Sequence, residues 1–306
     1  MSHAITSVAV LGSGTMGSGI AAASAEAGIR VLLLDVTQEA AEKGLGRALA
    51  AFDNDEAKAA AKALITLGML ADDLPRIAGY DWICEAVIED LATKRELFAR
   101  LEPLRREGSV VSTNTSGIPL RAIIEGQPER LRRDIAVTHF FNPVRVMRLL
   151  ELVAGPETDP GAITALADFG REKLKKGVVH AKDTVNFIGN RIGCFWMLSG
   201  LHLAKPYLAN GLDAETLDAL MTAPVGLPST GLYGLIDLIG LDVMDFVGKN
   251  LAVNLPAGDR GQAFTRFPGV EQAMLERGQL GRKSGGGFYR VTKNADGSRS
   301  KETFDL

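Results

Sequence analysis

Residues 7–35 read SVAVLGSGTMGSGIAAASAEAGIRVLLLD, and this order decides the fold. Ser7 to Leu11 is a short apolar strand. Val31 to Leu34 is an unbroken apolar run that ends in Asp35, a pattern typical of parallel sheets covered on both faces. Between them stands Gly12-Ser13-Gly14-Thr15-Met16-Gly17, followed by a helix of small residues, Ser18 to Ala27, with Gly28 as its C-cap. Strand, glycine turn, helix, strand and terminal acid together describe a dinucleotide site. Gly12 permits the tight turn, Gly14 lets the backbone approach a pyrophosphate, and Gly17 lets helix and strand pack closely. The helix N-terminus supplies N–H donors and a positive dipole end. Ser13, Thr15 and Met16 complete the same cofactor-binding turn. Asp35 stands where an acid takes the adenine ribose hydroxyls. Its charge would repel a 2′-phosphate, so NAD is expected over NADP. A GxGxxG alone also occurs in unrelated βαβ units; the flanking strands and acid carry the reading.

Outward from this stretch, residues 38–74 are rich in Ala, Glu, Lys and Leu. They read as a helical insertion with helices over 40–52 and 55–67 and a turn about Gly68. Its basic residues Arg47, Lys58 and Lys62 either face an anionic ligand tail or form a solvated face. Residues 80–87 form the next strand, followed by Glu85 and Glu89 and a helix over 91–104 that carries Lys94. Residues 109–112 are a strand opening into Thr113-Asn114-Thr115-Ser116-Gly117. Polar groups at a strand end in an open α/β sheet are placed to hold a ligand, so Asn114 and Ser116 are candidates beside their reading as a helix cap. Residues 135–137 lead into Thr138-His139-Phe140-Phe141-Asn142-Pro143, and Glu151 lies in the following apolar run 149–153. A histidine at a strand end with a carboxylate on the next strand can be held in one tautomer as a base. These two residues taken alone also fit a half-buried structural pair. A helix over 162–174 and a strand over 177–181 complete a doubly wound sheet.

From Asp183 helical periods dominate. Residues 187–207 form a long helix, apolar on most faces, interrupted by Asn190 and Arg191. Shorter helices follow to Arg277. Lys283 precedes Gly285-Gly286-Gly287-Phe288-Tyr289, a glycine turn into a short extended piece. The expected organisation is a Rossmann-type domain, 1–182, and an all-helical domain, 183–306.

With 306 residues the chain suits two domains. A net charge of −3 argues against a general nucleic-acid binder. The two cysteines, Cys84 and Cys194, sit in apolar runs and read as buried thiols of a reducing compartment. No run reaches the length of a membrane span and the N-terminus moves straight into a strand, so a cytoplasmic protein is expected. No residue spacing calls for a metal.

The chain resembles the L-3-hydroxyacyl-CoA dehydrogenase family over nearly its whole length. The resemblance rests on GSGTMG at 12–17, STNTSG at 112–117, THFFNP at 138–143 with Glu151, KDTVNFIGNRIG at 182–193, and GRKSGGGFY at 281–289. It implies NAD as cofactor and NAD-dependent oxidation of (3S)-3-hydroxyacyl-CoA in fatty-acid β-oxidation. It implies His139 as base, Glu151 as its orienting carboxylate, and Ser116 as the residue on the substrate oxygen. Asn190 matches the helical Asn at the reacting centre, and Asn114 an acyl-CoA contact. Asp35, Glu89, Lys94, Asn142 and Lys283 match cofactor contacts. A homodimer through the helical domain is also implied. Two departures stand out. Ala48 lies near where many members carry a Ser that contacts CoA, leaving Arg47, Lys58 or Lys62 as candidates for the CoA phosphates. Val185-Asn186 replaces the more usual Pro-Gly, which looks more like the dehydrogenase part of bifunctional proteins fused to an enoyl-CoA hydratase. The tail at 298–306 reads as the start of a strand or linker, so a portion of a longer chain is expected. The alternatives are a same-fold dehydrogenase of a free hydroxy acid or sugar acid, and a non-catalytic dinucleotide-binding protein.

Overall fold

The computed structural model describes residues 4–227, 229–294 and 297–304; His3 and the tail residues Asp305 and Leu306 lie outside the described residues. The chain divides into two compact units, one up to Ile188 and one from Gly189.

In the first unit eight strands form one sheet. They are β1 (Ser7–Leu11), β2 (Arg30–Asp35), β3 (Ile65–Met69), β4 (Trp82–Glu85), β5 (Val110–Thr113), β6 (Ile135–Phe140), β7 (Leu149–Ala154) and β8 (Gly177–Ala181), in the order β3-β2-β1-β4-β5-β6-β7-β8. Helices α1 (Thr15–Glu26), α2 (Gln38–Ala50), α3 (Asp55–Leu64), α4 (Leu91–Leu101), α5 (Leu120–Ile124), α6 (Glu129–Asp134) and α7 (Pro160–Asp168) connect them. Alternate strand residues feed two cores. Val8, Val10, Val31, Leu33 and Trp82 pack on one face; Ala9, Leu11, Leu32, Leu34 and Ile83 pack on the other. The strand order reverses between β1 and β4, and ligands of such sheets bind in the crevice at that point.

Three features differ from the sequence reading. The helix expected over 55–67 ends at Leu64, and Ile65–Met69 is a strand, β3. The outer edge of β2 has no other partner, and the register Val31↔Ile65 to Asp35↔Met69 satisfies it. The strand is short, and the alanine-rich helix before it carries the stronger period. Secondly, β7 runs antiparallel to β6, while β1 to β6 are parallel. The connection at 141–148 is shorter than the roughly dozen residues a parallel crossover needs. Thirdly, residues 183–188 belong to the first unit, although the sequence reading begins the second domain at 183. The Asp183 carboxylate accepts from Leu120 N (2.8 Å) and Arg121 N (2.9 Å), which fixes this segment on the start of α5.

The second unit holds α8 (Gly189–Ala209), α9 (Ala214–Leu220), α10 (Gly231–Ile239), α11 (Leu241–Asn254) and α12 (Val270–Glu276). It adds an antiparallel hairpin, β9 (Tyr289–Lys293) with β10 (Arg299–Thr303); the sequence suggested a short extended piece after the glycine turn and the start of a strand or linker in the tail, but not their pairing. Two buried acids organise its end. Asp218 accepts from Tyr233 N (2.7 Å), Gly234 N (2.9 Å) and the Tyr289 hydroxyl (2.8 Å). Asp237 accepts from Phe288 N and Tyr289 N, both at 2.8 Å. A Cβ at Gly287 would stand 1.9 Å from Asp237 Oδ1, so this glycine is what lets the strand reach its acid. Burial pushes the Asp237 carboxyl up, and these backbone donors only partly offset it. Among the described residues, no helix is long and apolar enough to cross a membrane.

Candidate active site

The glycine turn has the form that its sequence predicts. Gly12 has φ +98°, the left-handed region that glycine enters freely. An ideal Cβ on Gly17 would lie 1.8 Å from Gly12 O, so any side chain there would force α1 off β1. Gly14 is exposed, with open space beside it and no side-chain cap at the start of α1. Those free N–H groups and that open approach fit a pyrophosphate. Thr15 is exposed and Met16 half-buried on the same turn. Ser13 is buried, and donates through N (2.6 Å) and Oγ (2.5 Å) to Asp35 Oδ2. Asp35 therefore buttresses the turn as well as closing β2. Gly12, Gly14, Asp35, Val36, Ala86 and Ile88 line a cleft of about 490 Å³. Exposed apolar side chains Val36 and Ile88 on that cleft suit a flat heteroaromatic ring.

Arg47 donates to Ser13 O (2.6 Å) from α2, and Lys58 pairs with Asp55 (3.2 Å); Lys62 is exposed. Ala48 is buried in the core.

At the ends of β4 and β5 lies a buried ion cluster. Lys94, 1% exposed, reaches Glu85 Oε1 at 2.7 Å and Glu89 Oε2 at 3.4 Å. Glu85 also accepts from Thr113 Oγ1 (2.6 Å) and Val87 N (2.7 Å). Burial pushes the Glu85 carboxyl up, and Lys94 and these donors offset this only in part. Burial acts on Glu89 in the same direction. There the Lys94 charge and donors from Thr115, Gly117 and Ser116 prevail and hold the carboxyl below its ordinary range. Thr115 Oγ1 (2.6 Å), Ser116 N (2.8 Å) and Gly117 N (2.9 Å) all donate to Glu89 Oε1. The STNTSG loop is thus wrapped around Glu89. Asn114 Oδ1 accepts from Phe140 N (3.0 Å) and ties this loop to the end of β6.

The antiparallel register sets His139 directly opposite Glu151, so both side chains project from the same face. His139 Nδ1 lies 2.7 Å from Glu151 Oε2, and both residues are buried. Where the carboxylate is ionised it can only accept, which puts the Nδ1 proton in this contact and leaves Nε2 as the nitrogen that can take one. Phe141 and Phe187 flank the imidazole with ring centroids at 4.5 and 5.6 Å. Ile188 N donates to the second oxygen, Glu151 Oε1, at 2.9 Å. The carboxylate is held from two sides and the imidazole is walled by aromatic rings.

The structure brings Ser116, Asn114, Glu89, Lys94, His139 and Glu151 to one edge of the sheet. Asn142 is exposed on the loop just beyond. Asn190 is half-buried in the first turn of α8 and Lys283 pairs with Asp242 at 2.5 Å; both belong to the second unit. From sequence Glu85 is noted without a role, and Phe187 only as the start of a helix. Glu85 carries a signal, an acid at a strand end followed by a lysine on the next helix; Phe187 reads as ordinary core. Burial pushes the Cys84 thiol up to about 12 and Cys194 to about 11. Among the described residues no group of three or more His, Cys, Asp or Glu is arranged to hold a metal ion.

Residues 7–184 match the family described as 3-hydroxyacyl-CoA dehydrogenase, NAD binding domain, and residues 187–291 its C-terminal domain. A probable 3-hydroxyacyl-CoA dehydrogenase of Bacillus subtilis is 38% identical over 94% of this chain and 38% of its own length. A putative fatty acid oxidation complex trifunctional enzyme of Rickettsia felis is 35% identical over the whole chain and 43% of its own length. The chain thus spans less than half of each of these two relatives. The crystal structure of FadB2 from M. tuberculosis superposes with a TM-score of 0.84 at 30% identity, over 94% of this chain and all of that one.

Proposed function

The chain belongs to the 3-hydroxyacyl-CoA dehydrogenase family, and from that premise we propose that it oxidises (3S)-3-hydroxyacyl-CoA to 3-ketoacyl-CoA with NAD⁺. The observation that carries this reading is the His139–Glu151 pair, in cross-strand register at 2.7 Å. His139 Nε2 takes the proton of the C3 hydroxyl. Glu151 holds the imidazole in the required tautomer and stabilises the imidazolium. Ser116 on the neighbouring loop holds the substrate oxygen, and the family resemblance assigns Asn190 a part in the same reaction. Gly12 to Gly17 and Asp35 hold the dinucleotide; Glu89, Lys94, Asn142 and Lys283 are its further contacts, and Asn114 is an acyl-CoA contact. NAD⁺, when bound, accepts the hydride from C3. General-base help of this kind is worth about 10²–10⁴-fold in rate.

The reading places the chain in fatty-acid β-oxidation in the cytoplasm. Two relatives more than twice as long as the stretch they share with this chain support a natural context in which this part is joined to a further part, which the Val185-Asn186 resemblance reads as enoyl-CoA hydratase-like. A homodimer is supported by a stripe on α8 in which Ile192, Phe195, Leu203 and Tyr207 are exposed.

The test follows NADH absorbance with acetoacetyl-CoA and a long-chain 3-ketoacyl-CoA, beside free acetoacetate, for the wild type and His139→Ala. Rapid oxidation of NADH with a thioester, lost in the variant, is expected. Turnover of free acetoacetate alone would transfer the reading to a free hydroxy acid. Binding of NADH without any turnover would make the chain a non-catalytic dinucleotide-binding protein.

A further inference from the structure

Asn186 is 5% exposed, and its amide nitrogen finds no hydrogen-bond partner among the described residues. A buried donor without a partner is unfavourable, so proteins leave few of them. Its surroundings are well fixed. Asp183 anchors the chain on α5 before it, and Ile188 N is bound to Glu151 after it. Phe187, the next residue, packs on the His139 ring. Asn186 has φ +58°, a conformation that Asn tolerates better than most residues, so the position suits either Gly or Asn. Only Asn adds an amide. A Cβ built on Gly117 would lie 3.9 Å from Asn186 Oδ1 and 3.8 Å from Glu89 Oε1, so the amide sits at the turn where Ser116 and Gly117 close on Glu89.

From this we infer that Asn186 is a further ligand-binding residue, whose amide N–H donates to a carbonyl oxygen held between the Ser116–Gly117 turn and His139. The inference rests on the dehydrogenase reading for the identity of that carbonyl. Two ligands bring one to this place: the carboxamide of the nicotinamide and the thioester of the acyl-CoA. Glu89 Oε1 already takes three donors from the loop after β5, so it does not provide the missing acceptor.

The test compares the full chain with Asn186→Gly and Asn186→Asp. Glycine keeps the left-handed backbone and removes the amide. Aspartate keeps the shape and replaces the donor by an acceptor. NADH affinity is measured alone by fluorescence titration, and KM for acetoacetyl-CoA by NADH absorbance. Loss of one such hydrogen bond corresponds to about 3- to 10-fold weaker binding, and N186D should do no better than N186G. Weakened NADH binding assigns the carbonyl to the nicotinamide. A raised KM with NADH affinity unchanged assigns it to the thioester. Both constants within about twofold of wild type in both variants would overturn the inference and leave Asn186 a backbone device. A wild type inert toward acetoacetyl-CoA would sink the functional reading instead, and the NADH titration alone would then decide the inference.

Discussion

Glu151 and a glutamine in its place differ by one atom and one charge, yet the site uses both of its oxygens as acceptors. Oε2 faces His139 Nδ1 and Oε1 takes Ile188 N. An amide has one oxygen for these two donors; if its NH2 faces His139, Nδ1 becomes the acceptor and Nε2 carries the proton, so the ring can no longer take one. Glu151→Gln is therefore expected to lower kcat by about 10²-fold or more, with NADH affinity little changed. Single-turnover hydride transfer measures this, and a rate near wild type would remove Glu151 from the proposed mechanism. Glu89 gives a second test of the same scale. Its folded carboxyl is held below the ordinary value of 4.5, so the folded state favours the ionised form. The resulting stability is present above about pH 4.5 and is lost as the pH falls through the lowered value. Glu89→Gln should accordingly flatten the acid limb of the stability–pH curve below that point. Urea midpoints at several pH values would show it; an unchanged limb would mean that the loop around Glu89 does not depend on its charge.

The contact of α1 with β1 is an element-scale dependence on one missing methyl group. Gly17→Ala would place a carbon 1.8 Å from Gly12 O, against backbone that cannot yield without opening the turn. At least a tenfold loss of NADH affinity by calorimetry is expected, with the fold retained by circular dichroism. An affinity equal to wild type would mean that the turn is looser than its geometry. This contact was legible in the sequence because the glycine spacing states it directly. The same holds for β1, β2, α1 and the strand-end loops, whose apolar runs and turn residues agree. Strand β3 was not legible. Its residues follow an alanine-rich helix without any punctuating glycine or proline, and their partner, the free edge of β2, is known only once the sheet exists. The reversal at β7 was also hidden, because apolar runs look alike in either direction; only the short loop before it indicates the choice. Of the site residues, His139, Glu151 and Ser116 stand out as polar groups beside apolar strands, but taken alone they also fit a structural pair and a helix cap; the resemblance of the surrounding motifs gave them their roles. Asn186 does not stand out, since an asparagine in a connection usually signals a turn.

At the scale of the whole molecule, two units carry different dependences. The first holds the glycine turn and the His139–Glu151 pair; the second closes its end through Asp218 and Asp237. Asp237→Ala would strip the acceptor from Phe288 N and Tyr289 N, at a cost of about 3 kcal/mol, that of two bonds to a buried carboxylate. A thermal transition lowered by several degrees is expected in a calorimetric scan; an unchanged transition would mean that Asp237 does not anchor this segment. The pairing of β6 with β7 has a further consequence for how this chain tolerates length changes. Each antiparallel partner is set by the hairpin between them, so the loop at 141–148 acts as a ruler. A one-residue insertion absorbed inside the loop leaves His139 facing Glu151. The same insertion absorbed by sliding the strands brings Leu150 or Leu152 to face His139 and turns the acid's side chain to the opposite face of the sheet. Insertions here should therefore fall into two discrete groups, active and dead, with little between them.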